Sequence, residues 1–372
     1  MIYLDNAATT LHKPGTVWKS MEKAMRTCST PGRGTHAAAM NAADAAFSCR
    51  ETAAGLFGVE NPEQVALTFN ATHGLNLAIH TLAGQGKTAV ITGYEHNAVV
   101  RPLYSRGLSV RQTVSPLFDQ ARAADAFYSA IREGADFAVC THVSNVFGFV
   151  LPVEKIAEIC AESDVPLIVD ASQSAGVLAL NVADLGAAFV AMPGNKGLYG
   201  PQGTGLLLCG RTPEPLLMGG TGGNSDLRTM PDFLPDRVEA GTGNIPGAAG
   251  LAAGMRFVQT KGVGRICRHE VRLKNAACAG LERLHGVHPI WTEDETLQTG
   301  VFSMVFDNLS PIEAAAELGK RGIAVRAGLH CAPAAHRTAG THDSGTVRVS
   351  FSVFSTMDDV HALISAVRAI RR

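Results

Sequence analysis

The sequence predicts an α/β protein in which a large domain with a mostly parallel sheet is followed by a smaller α+β C-terminal domain. Length is the first observation, because 372 residues exceed the size at which a single hydrophobic core usually stops growing. The second is the alternation of short apolar runs with helical patterns from about residue 50 to 210, which is typical of a parallel sheet covered by helices. From about residue 286 the pattern changes to mixed strands and helices, which indicates the second domain.

Six apolar runs of strand length form the predicted sheet of the large domain. They lie at residues 65–69, 88–92, 137–143, 167–170, 188–192 and 205–209. Between the third and fourth runs, Pro152 precedes Val153, Ile156 and Ile159, which are apolar residues at helical spacing. We therefore expect a crossover helix there, of the kind that joins parallel strands.

The rest of the chain predicts a long loop and then the smaller domain. Residues 210–246 are rich in Gly, Pro, Asn and Thr and lack periodicity, which favours a functional loop region. The elements expected after it are a helix over about 247–284, a strand over 301–306, a helix over 311–321, strands near 323–326 and over 346–353, and a closing helix. Thr356 is the expected N-cap of that closing helix, with Asp359 in its first turn.

Composition excludes several classes of partner. The chain has 32 basic and 33 acidic residues and a formal net charge of −1, which offers no field for nucleic acid and no basic patch for a membrane. Its eight cysteines are scattered, without a CxxC pair or a zinc-like spacing, so we expect neither a metal site nor a disulfide framework. The sequence shows neither a basic-then-apolar leader nor an apolar run long enough to span a membrane, so we expect a cytoplasmic protein that acts on a small molecule.

Lys196 is the most informative single residue. It lies in a glycine-rich segment, AMPGNKGLYGPQGTG, downstream of Asp170, which ends an apolar, strand-like run. The carboxyl ends of parallel strands are where α/β folds bind ligands. A lysine in a tight glycine-rich loop, with such a carboxylate nearby, is what an enzyme needs to bind pyridoxal phosphate covalently and keep its ring nitrogen protonated. The alternative for a lone lysine is an ordinary solvated side chain.

Further segments, taken together, resemble a known family. In chain order they are YLDNAATT, GRGTHAAA, TFNATHGLNLA, TGYEHNAVV, HVSNVFG, PLIVDASQS, the lysine segment, EAGTGNIPG, RAGLHCAP and TVRVSFSVFST. The ordered match covers almost the whole chain and is similar to class V aminotransferase-fold enzymes, specifically the cysteine desulfurase and selenocysteine lyase family. The resemblance implies a fold-type I pyridoxal-phosphate-dependent transferase with a mostly parallel, seven-stranded sheet. It places residues 13–250 in a large cofactor-binding domain and residues 1–12 and 251–372 in a small domain.

The same resemblance implies a set of binding residues. Those implied to contact the cofactor are Ala71, Thr72, His96, Asn145, Asp170, Gln173, Asn195, Lys196 and, from the second subunit of a homodimer, Thr242. Those implied to contact the substrate are Ala8, His36, Asn145, Arg326 and Arg348. Simpler alternatives are a helix cap at Thr72, a surface loop at His36, and an amide that satisfies its local backbone at Asn145 or Gln173.

The residue types suit these roles. A helix that begins near Ala71 and Thr72 would offer free N–H groups and its dipole to a phosphate. The flat, titratable ring of His96 can stack on the cofactor and transfer protons near neutral pH. The planar guanidinium of Arg348 matches a carboxylate with two parallel hydrogen bonds, and Arg326 is a second candidate for that contact.

Two positions depart from the family's pattern. Where relatives usually have Ser or Thr, one residue, and then His before the lysine, this chain has Pro193 and Asn195. Pro193 has neither a hydroxyl nor a backbone donor, and Asn195 can donate but cannot become cationic. We therefore expect a weaker grip on the cofactor's phosphate.

Cys331 is the candidate sulfur acceptor. RAGLHCAP resembles the RxGxHCAxP signature of the Suf-type branch rather than the SSGSACTS signature of the Nif/Isc-type branch. In that branch the cysteine attacks the substrate's sulfur and holds it as a persulfide. His330, the preceding residue, offers a route to the reactive thiolate. The alternative is a buried structural thiol, which is what we expect of the other seven cysteines.

The resemblance thus predicts conversion of L-cysteine to L-alanine, with Lys196, Cys331 and His96 as catalytic residues and a sulfur-acceptor protein as a possible partner. Three alternatives stay open. A selenocysteine lyase would use the same residues on a softer leaving group. An aminotransferase or epimerase of this fold would need no thiol, and a regulatory or scaffold protein would keep the fold without the chemistry.

Overall fold

A computed structural model describes residues 1–32 and 34–370 of the chain; Arg33, in the GRGTHAAA segment, lies outside them. The strands are β1 (Ile2–Tyr3), β2 (Val65–Thr68), β3 (Thr88–Ile91), β4 (Ser109–Gln112), β5 (Phe137–Thr141), β6 (Leu167–Asp170), β7 (Phe189–Pro193), β8 (Gly205–Cys209), β9 (Val287–Ile290), β10 (Val301–Phe306), β11 (Ile323–Ala324), β12 (Arg326–Gly328) and β13 (Thr346–Ser350).

The described helices follow the same chain order. They are α1 (Gly15–Thr27), α2 (Ala37–Phe57), α3 (Ala71–Leu82), α4 (Asn97–Ser105), α5 (Gln120–Arg132), α6 (Val153–Glu162), α7 (Val182–Leu185), α8 (Ile245–Lys261), α9 (Val263–Glu282), α10 (Pro311–Lys320), α11 (Pro333–Thr338) and α12 (Met357–Ile370), with a short 3-10 turn at Pro62–Gln64. Within the described residues, no helix is long and apolar enough to cross a membrane.

The central sheet has seven strands in the order β2-β8-β7-β6-β5-β3-β4. Strands β4, β3, β5, β6 and β7 run parallel to one another, whereas β8 is antiparallel to both of its neighbours. Every residue of β5 to β8 is buried, which is why these strands are continuous apolar runs in the sequence. The mostly parallel, seven-stranded prediction is therefore confirmed.

A second, four-stranded antiparallel sheet is built from β12-β13-β10-β9. Helices α9, α10 and α12 pack beside it around a separate core that includes Leu273, Phe302, Val347 and Leu363. The amino-terminal strand β1 belongs to this part of the molecule, because it pairs in parallel with β11. Leu4, just after β1, is buried in the same core.

Most predicted elements occur within a few residues of their expected bounds, and three differences have physical reasons. The single helix expected over 247–284 is two helices, since Gly262 has a left-handed φ of 81° and separates α8 from α9. Strand β4, SVRQ, lies at the edge of the sheet and has no apolar run to reveal it. Strand β9, with a similarly mixed sequence, is also at an edge.

The ends of α8 and α12 bear on two further predictions. Helix α8 spans Ile245–Lys261, so a domain boundary at residue 250 would fall inside it. The helix packs against α1 and α2. The cap of α12 is confirmed: Thr356 Oγ1 accepts from the amide of Asp359 at 3.3 Å, and Asp359 Oδ2 accepts from the amide of Thr356 at 2.8 Å.

Candidate active site

The carboxyl ends of β5, β6 and β7 and the amino ends of α3 and α4 surround a cavity of about 260 Å³. Nine predicted site residues line it: Ala8, Ala71, Thr72, His96, Asn145, Asp170, Gln173, Asn195 and Lys196. The position agrees with the rule that parallel sheets bind ligands beyond their carboxyl ends. We call it the Lys196 cavity.

Lys196 lies in the turn that follows β7. Gly197 must be glycine because an added Cβ would collide with the carbonyl of Ala175, whereas Gly203 is needed for its left-handed φ of 74°. Burial lowers the pKa of the Lys196 ammonium to about 8, opposed by the charge of Asp170 and reinforced by the charge of Arg348. A pKa this low gives Lys196 a substantial fraction of neutral, nucleophilic amine near neutral pH.

Asp170 ends β6 and is almost completely buried. Its Oδ1 accepts a hydrogen bond from the amide of Ser172 at 2.9 Å, and Ser172 also lines the cavity. The negative charge of Asp170 acts to raise the pKa of both Lys196 and His96. Asp170 is therefore the anionic centre of the site.

His96 is the N-cap of α4, because its Nδ1 accepts a hydrogen bond from the amide of Ala98 at 3.0 Å. That bond leaves the ring proton on Nε2. The pKa of the imidazole is lowered to about 4, chiefly by burial and also by the charge of Lys196, against the opposing effect of Asp170. His96 thus presents a flat, uncharged ring to the cavity at physiological pH.

Glu95 was not expected in the site. It is fully buried, and its Oε1 accepts hydrogen bonds from Thr92 Oγ1 at 2.6 Å and from the amide of Thr141 at 2.8 Å. Burial raises the pKa of this carboxyl to about 8. It joins the ends of β3 and β5 behind the cavity lining, which it does not enter, and its signal in the sequence was an acidic residue beside the histidine.

Helix α3 begins at the cavity wall. Its N-cap is Asn70, whose Oδ1 accepts from the amide of His73 at 2.9 Å, so Thr72 is not the cap. The amides of Ala71 and Thr72, in the first turn, have no partner within the helix. They remain available for a phosphate at the positive end of the helix dipole.

Asn195, one of the two departures from the family pattern, is bonded to the amino-terminal segment. Asn195 Nδ2 donates to Thr9 Oγ1 at 2.9 Å, and its main-chain oxygen accepts from the amide of Thr10 and from Lys13 Nζ, both at 3.0 Å. Burial lowers the pKa of the Lys13 ammonium to about 8. One amide hydrogen of Asn195 is therefore bonded to Thr9. The amino-terminal segment also fixes the backbone of the turn that bears Lys196.

Gln173 makes a similar link. Its Nε2 donates to the carbonyl of Ala7 at 3.0 Å, which ties the cavity wall to the YLDNAATT segment. The sequence analysis named Ala8 in that segment but not Thr9, Thr10 or Lys13. Their polar side chains in TTLHK were the available signal.

Arg348 lies on β13 and is buried. It donates to Asp5 Oδ1 at 2.8 Å and to the carbonyl of Asn145 at 2.9 Å, while its Nε has no partner among the described residues. Arg326 lies opposite it on β12 and is exposed. Neither arginine lines the cavity, but Arg348 is bonded to the carbonyl of Asn145, which does.

Cys331 is exposed on the turn between β12 and α11. The neighbouring His330 is buried and bonded to Thr346, and burial lowers its pKa to about 2. A buried, neutral ring bonded to Thr346 supplies no positive charge to the thiol, so the expected route to a thiolate through His330 stays a prediction without support from this contact.

Two of the other cysteines also differ from expectation. Five are buried, but Cys28 and Cys267 are only partly so. No three His, Cys, Asp or Glu side chains are grouped for a metal ion among residues 1–32 and 34–370.

Two further predicted residues, besides Arg326, Arg348 and Cys331, lie outside the lining of the Lys196 cavity. His36 is the exposed N-cap of α2, its Nδ1 accepting from the amide of Ala39 at 3.3 Å. Thr242 is exposed and lines a different, larger cavity of about 690 Å³. The helix cap at His36 is enough to explain that residue locally.

The mostly parallel seven-stranded sheet, with Asp170 and Lys196 at the ends of neighbouring strands, defines a fold-type I transferase fold. The Aminotransferase class-V family model matches residues 2–363, and the chain belongs to that family.

The sequences of named relatives match this chain over nearly its whole length. A probable cysteine desulfurase of Mycolicibacterium paratuberculosis is 33% identical and matches 100% of this chain and 55% of its own length. One of Methanothermobacter thermautotrophicus is 30% identical over 97% of this chain and 92% of its own length. The chain therefore spans only a little over half of the first relative, and nearly all of the second.

Solved structures of cysteine desulfurases are similar too. The apo enzyme of Thermococcus onnurineus NA1 has a TM-score of 0.91 and 32% identity, covering 100% of this chain and 94% of that one. The enzyme CsdA of Escherichia coli has a TM-score of 0.86 and 25% identity, covering 99% and 94%.

Proposed function

We propose that the chain is a pyridoxal-phosphate-dependent cysteine desulfurase that converts L-cysteine to L-alanine and retains the sulfur as a persulfide on Cys331. One observation supports this most. Lys196, Asp170 and His96 share one cavity, and the amide of Asn97, next to His96, donates a 2.7 Å hydrogen bond to the carbonyl of Cys331. The backbone that carries the exposed thiol is thus bonded to the residue that follows a cavity-lining histidine, whereas an aminotransferase or epimerase would need no thiol.

The cavity residues fit pyridoxal phosphate, which when bound supplies the electron sink for chemistry at the substrate's carbon atoms. Asp170 would pair with the ring nitrogen, His96 would stack on the ring, and the amino end of α3 would receive the phosphate. Lys196 would hold the cofactor covalently. Asn145 Oδ1 supports the fit, because it is a buried acceptor with no partner in the described part of the chain.

Each step of the proposed reaction is assigned to a residue of the chain. Arg348, oriented by Asp5, binds the α-carboxylate, and Lys196 Nζ takes the proton from the substrate's Cα. The thiolate of Cys331 attacks the substrate's sulfur, so that a sulfur–sulfur bond forms while the bond from Cβ to sulfur breaks. The electron pair of the broken bond stays with the carbon fragment, which takes up a proton and leaves as alanine. Cysteine and one thiol give alanine and one persulfide, so no external oxidant or reductant is needed.

The test compares sulfur with selenium release. Protein loaded with pyridoxal phosphate should form alanine from L-cysteine, and Cys331→Ala should bind cysteine yet release almost no sulfur, because binding and chemistry are separate steps. Cys28→Ala is the matched control and should behave as the unmodified protein. Selenide release that survives Cys331→Ala, without any sulfur release in the unmodified protein, would favour a selenocysteine lyase instead.

We further propose a homodimer in which Thr242 of each chain completes the phosphate site of the other. Thr242 is exposed at the end of the loop region 210–244, which also exposes Leu217, Met218, Leu227 and Phe233. Exposed apolar side chains grouped in one loop region are typical of an interface.

Mixing variants tests this proposal. Lys196→Ala and Thr242→Asp chains should each be inactive, whereas a mixed dimer contains one intact site and should recover activity. A mixture as inactive as its parents, in protein shown to be dimeric, would place Thr242 in its own chain's site or in none.

An acceptor protein and a cytoplasmic location complete the proposal. Cys331 is exposed, so the thiol of an acceptor protein could reach its persulfide. All eight cysteines are free thiols, as expected in a reducing compartment. The signature around Cys331 favours the Suf-type branch.

A further inference from the structure

The turn that presents Cys331 has an unusual backbone. The amide of Ala332 donates to the carbonyl of Leu329 at 2.9 Å, closing a turn with His330 and Cys331 at its two central positions. Both central residues are left-handed, with φ of 49° and 57°. Turns with two positive φ angles normally use Gly, Asn or Asp, because a side chain costs about 1–2 kcal/mol in this conformation. Surrounding contacts must therefore hold His330 and Cys331 in place.

The ring of His330 supplies one of those contacts. It is buried, and its Nε2 lies 3.2 Å from both the carbonyl and the hydroxyl oxygen of Thr346 on β13. The Thr346 hydroxyl in turn donates to Ser303 Oγ on β10 at 3.0 Å. The imidazole ring of His330 also stacks on the ring of His336 of α11, with 5.8 Å between the two ring centroids. His330 thus fastens the turn to the four-stranded sheet.

The carbonyl groups of His330 and Cys331 supply the other contacts that hold the turn. The oxygen of Cys331 accepts from the amide of Asn97 at 2.7 Å, and the oxygen of His330 accepts from Asn145 Nδ2 at 2.8 Å. Asn145 lines the Lys196 cavity, and Asn97 follows His96, which also lines it. The backbone that bears the thiol is therefore bonded to the cavity wall on one side and anchored by His330 on the other.

We propose that His330 is a positioning residue for sulfur transfer: its buried ring locks the left-handed turn, so that Cys331 is aimed at the substrate's sulfur. It acts on the geometry of the thiol and not on its acidity, because the ring points into the core and is bonded to Thr346. This inference rests on the proposed function, in which Cys331 receives the sulfur.

Two reactions of the same thiol separate the possibilities. In cofactor-loaded protein, His330→Ala should slow the formation of the Cys331 persulfide from L-cysteine in a single turnover by about 10- to 100-fold, because a misplacement of about 1 Å can cost 100-fold. Alkylation of Cys331 by iodoacetamide needs no alignment with the substrate and should not be slowed more than about threefold. Mass spectrometry of the Cys331 peptide measures both rates.

Any other combination of the two rates contradicts the proposed positioning role of His330. If both reactions slow together, His330 activates the thiol chemically; if neither slows, His330 has no role in sulfur transfer. An absence of persulfide in the unmodified protein would reject the proposed function and the positioning role with it. Persulfide that forms at an unchanged rate in His330→Ala would reject the positioning role alone.

Three further variants keep the test sharp. His330→Gly permits the left-handed turn but lacks the ring, so it should be as slow as His330→Ala; a normal rate would show that the ring is not needed. Should His330→Ala fail to fold, Thr346→Val removes the hydroxyl partner at similar volume and should slow only the persulfide reaction, whereas an unchanged rate would count against the anchor. His361→Ala removes an exposed histidine from α12 and should leave both rates unchanged.

Discussion

The Lys196 cavity and the Cys331 turn prepare a nucleophile in opposite ways. Lys196 is half-buried in the turn after a regular strand, and burial lowers the pKa of its amine to about 8. Cys331 is exposed, and its position depends on a left-handed backbone held by His330, Asn97 and Asn145. Under the proposed function, the contrast teaches that the electrostatic environment prepares the amine, whereas the position of the backbone prepares the thiol.

Removing the amine should break the cavity side of this comparison with the largest effect. We expect Lys196→Ala to lower the turnover of cysteine by at least about 1,000-fold, since it removes both the covalent partner of the cofactor and a proton acceptor. The visible absorption band of lysine-bound cofactor should also disappear. A Lys196→Ala protein that still turns over cysteine would end the assignment, and Lys261→Ala on the exposed end of α8 is the control.

The pH dependence of the amine should sharpen the comparison. In cofactor-free protein, the rate of Lys196 modification by pyridoxal phosphate should rise with pH and level off above a midpoint near 8, because only the neutral amine reacts. At pH 7 the neutral fraction of Lys196 is then roughly 200-fold larger than that of an ordinary exposed lysine. Asp170→Asn should move the midpoint lower, since the charge of Asp170 raises the pKa of Lys196; a midpoint that moves up would contradict the arrangement.

The departure at Asn195 predicts a smaller effect. Asn195→His restores the family pattern and should slow loss of the cofactor during dialysis by roughly tenfold, the value of one charge-assisted hydrogen bond. The main-chain bonds from Thr10 and Lys13 do not depend on the side chain, so the turn should keep its place. Unchanged or faster loss would mean that α3 and the partner chain already saturate the phosphate.

The strain in the Cys331 turn predicts the smallest effect. Cys331→Gly should be more stable than Cys331→Ala by about 1 kcal/mol in denaturant unfolding, because glycine adopts a left-handed φ freely and alanine does not. Both variants lack the thiol, so they differ only by the Cβ methyl group, which disfavours a left-handed backbone. Equal stability, or a more stable Cys331→Ala, would show that the turn is unstrained.

Sequence reasoning predicted the cavity much better than the turn. Asp170 and Lys196 follow buried apolar runs whose order in a parallel sheet brings their carboxyl ends together, so spacing along the chain predicts proximity. Glu95 and Lys13 were missed because a buried acid and a half-buried lysine have no periodic signature. Asp5 was missed because its partner, Arg348, is distant in sequence and meets it only in the folded chain.

The roles of His330 and Thr242 mark the limits of that reasoning. A histidine beside a cysteine looks like an activating pair, yet side chains of adjacent residues in a left-handed turn point to different surroundings, and His330 points into the core. Whether Thr242 serves another chain is a property of an assembly, which no pattern within one chain specifies. The family resemblance supplied that expectation.

The amino-terminal segment has a consequence for the order of biosynthesis. Ile2 pairs with Ile323, Asn6 donates to the carbonyl of Ser350, and Thr10 bonds to Asn195. Ile2 and Asn6 are synthesised well before Ile323 and Ser350, which lie more than 300 residues further along the chain. The parallel sheet can assemble while synthesis continues, whereas the pairing of this segment with β11 and β13 must wait. A nascent or truncated chain that lacks β13 therefore leaves the segment without its bond to Ser350, however well the central sheet has folded.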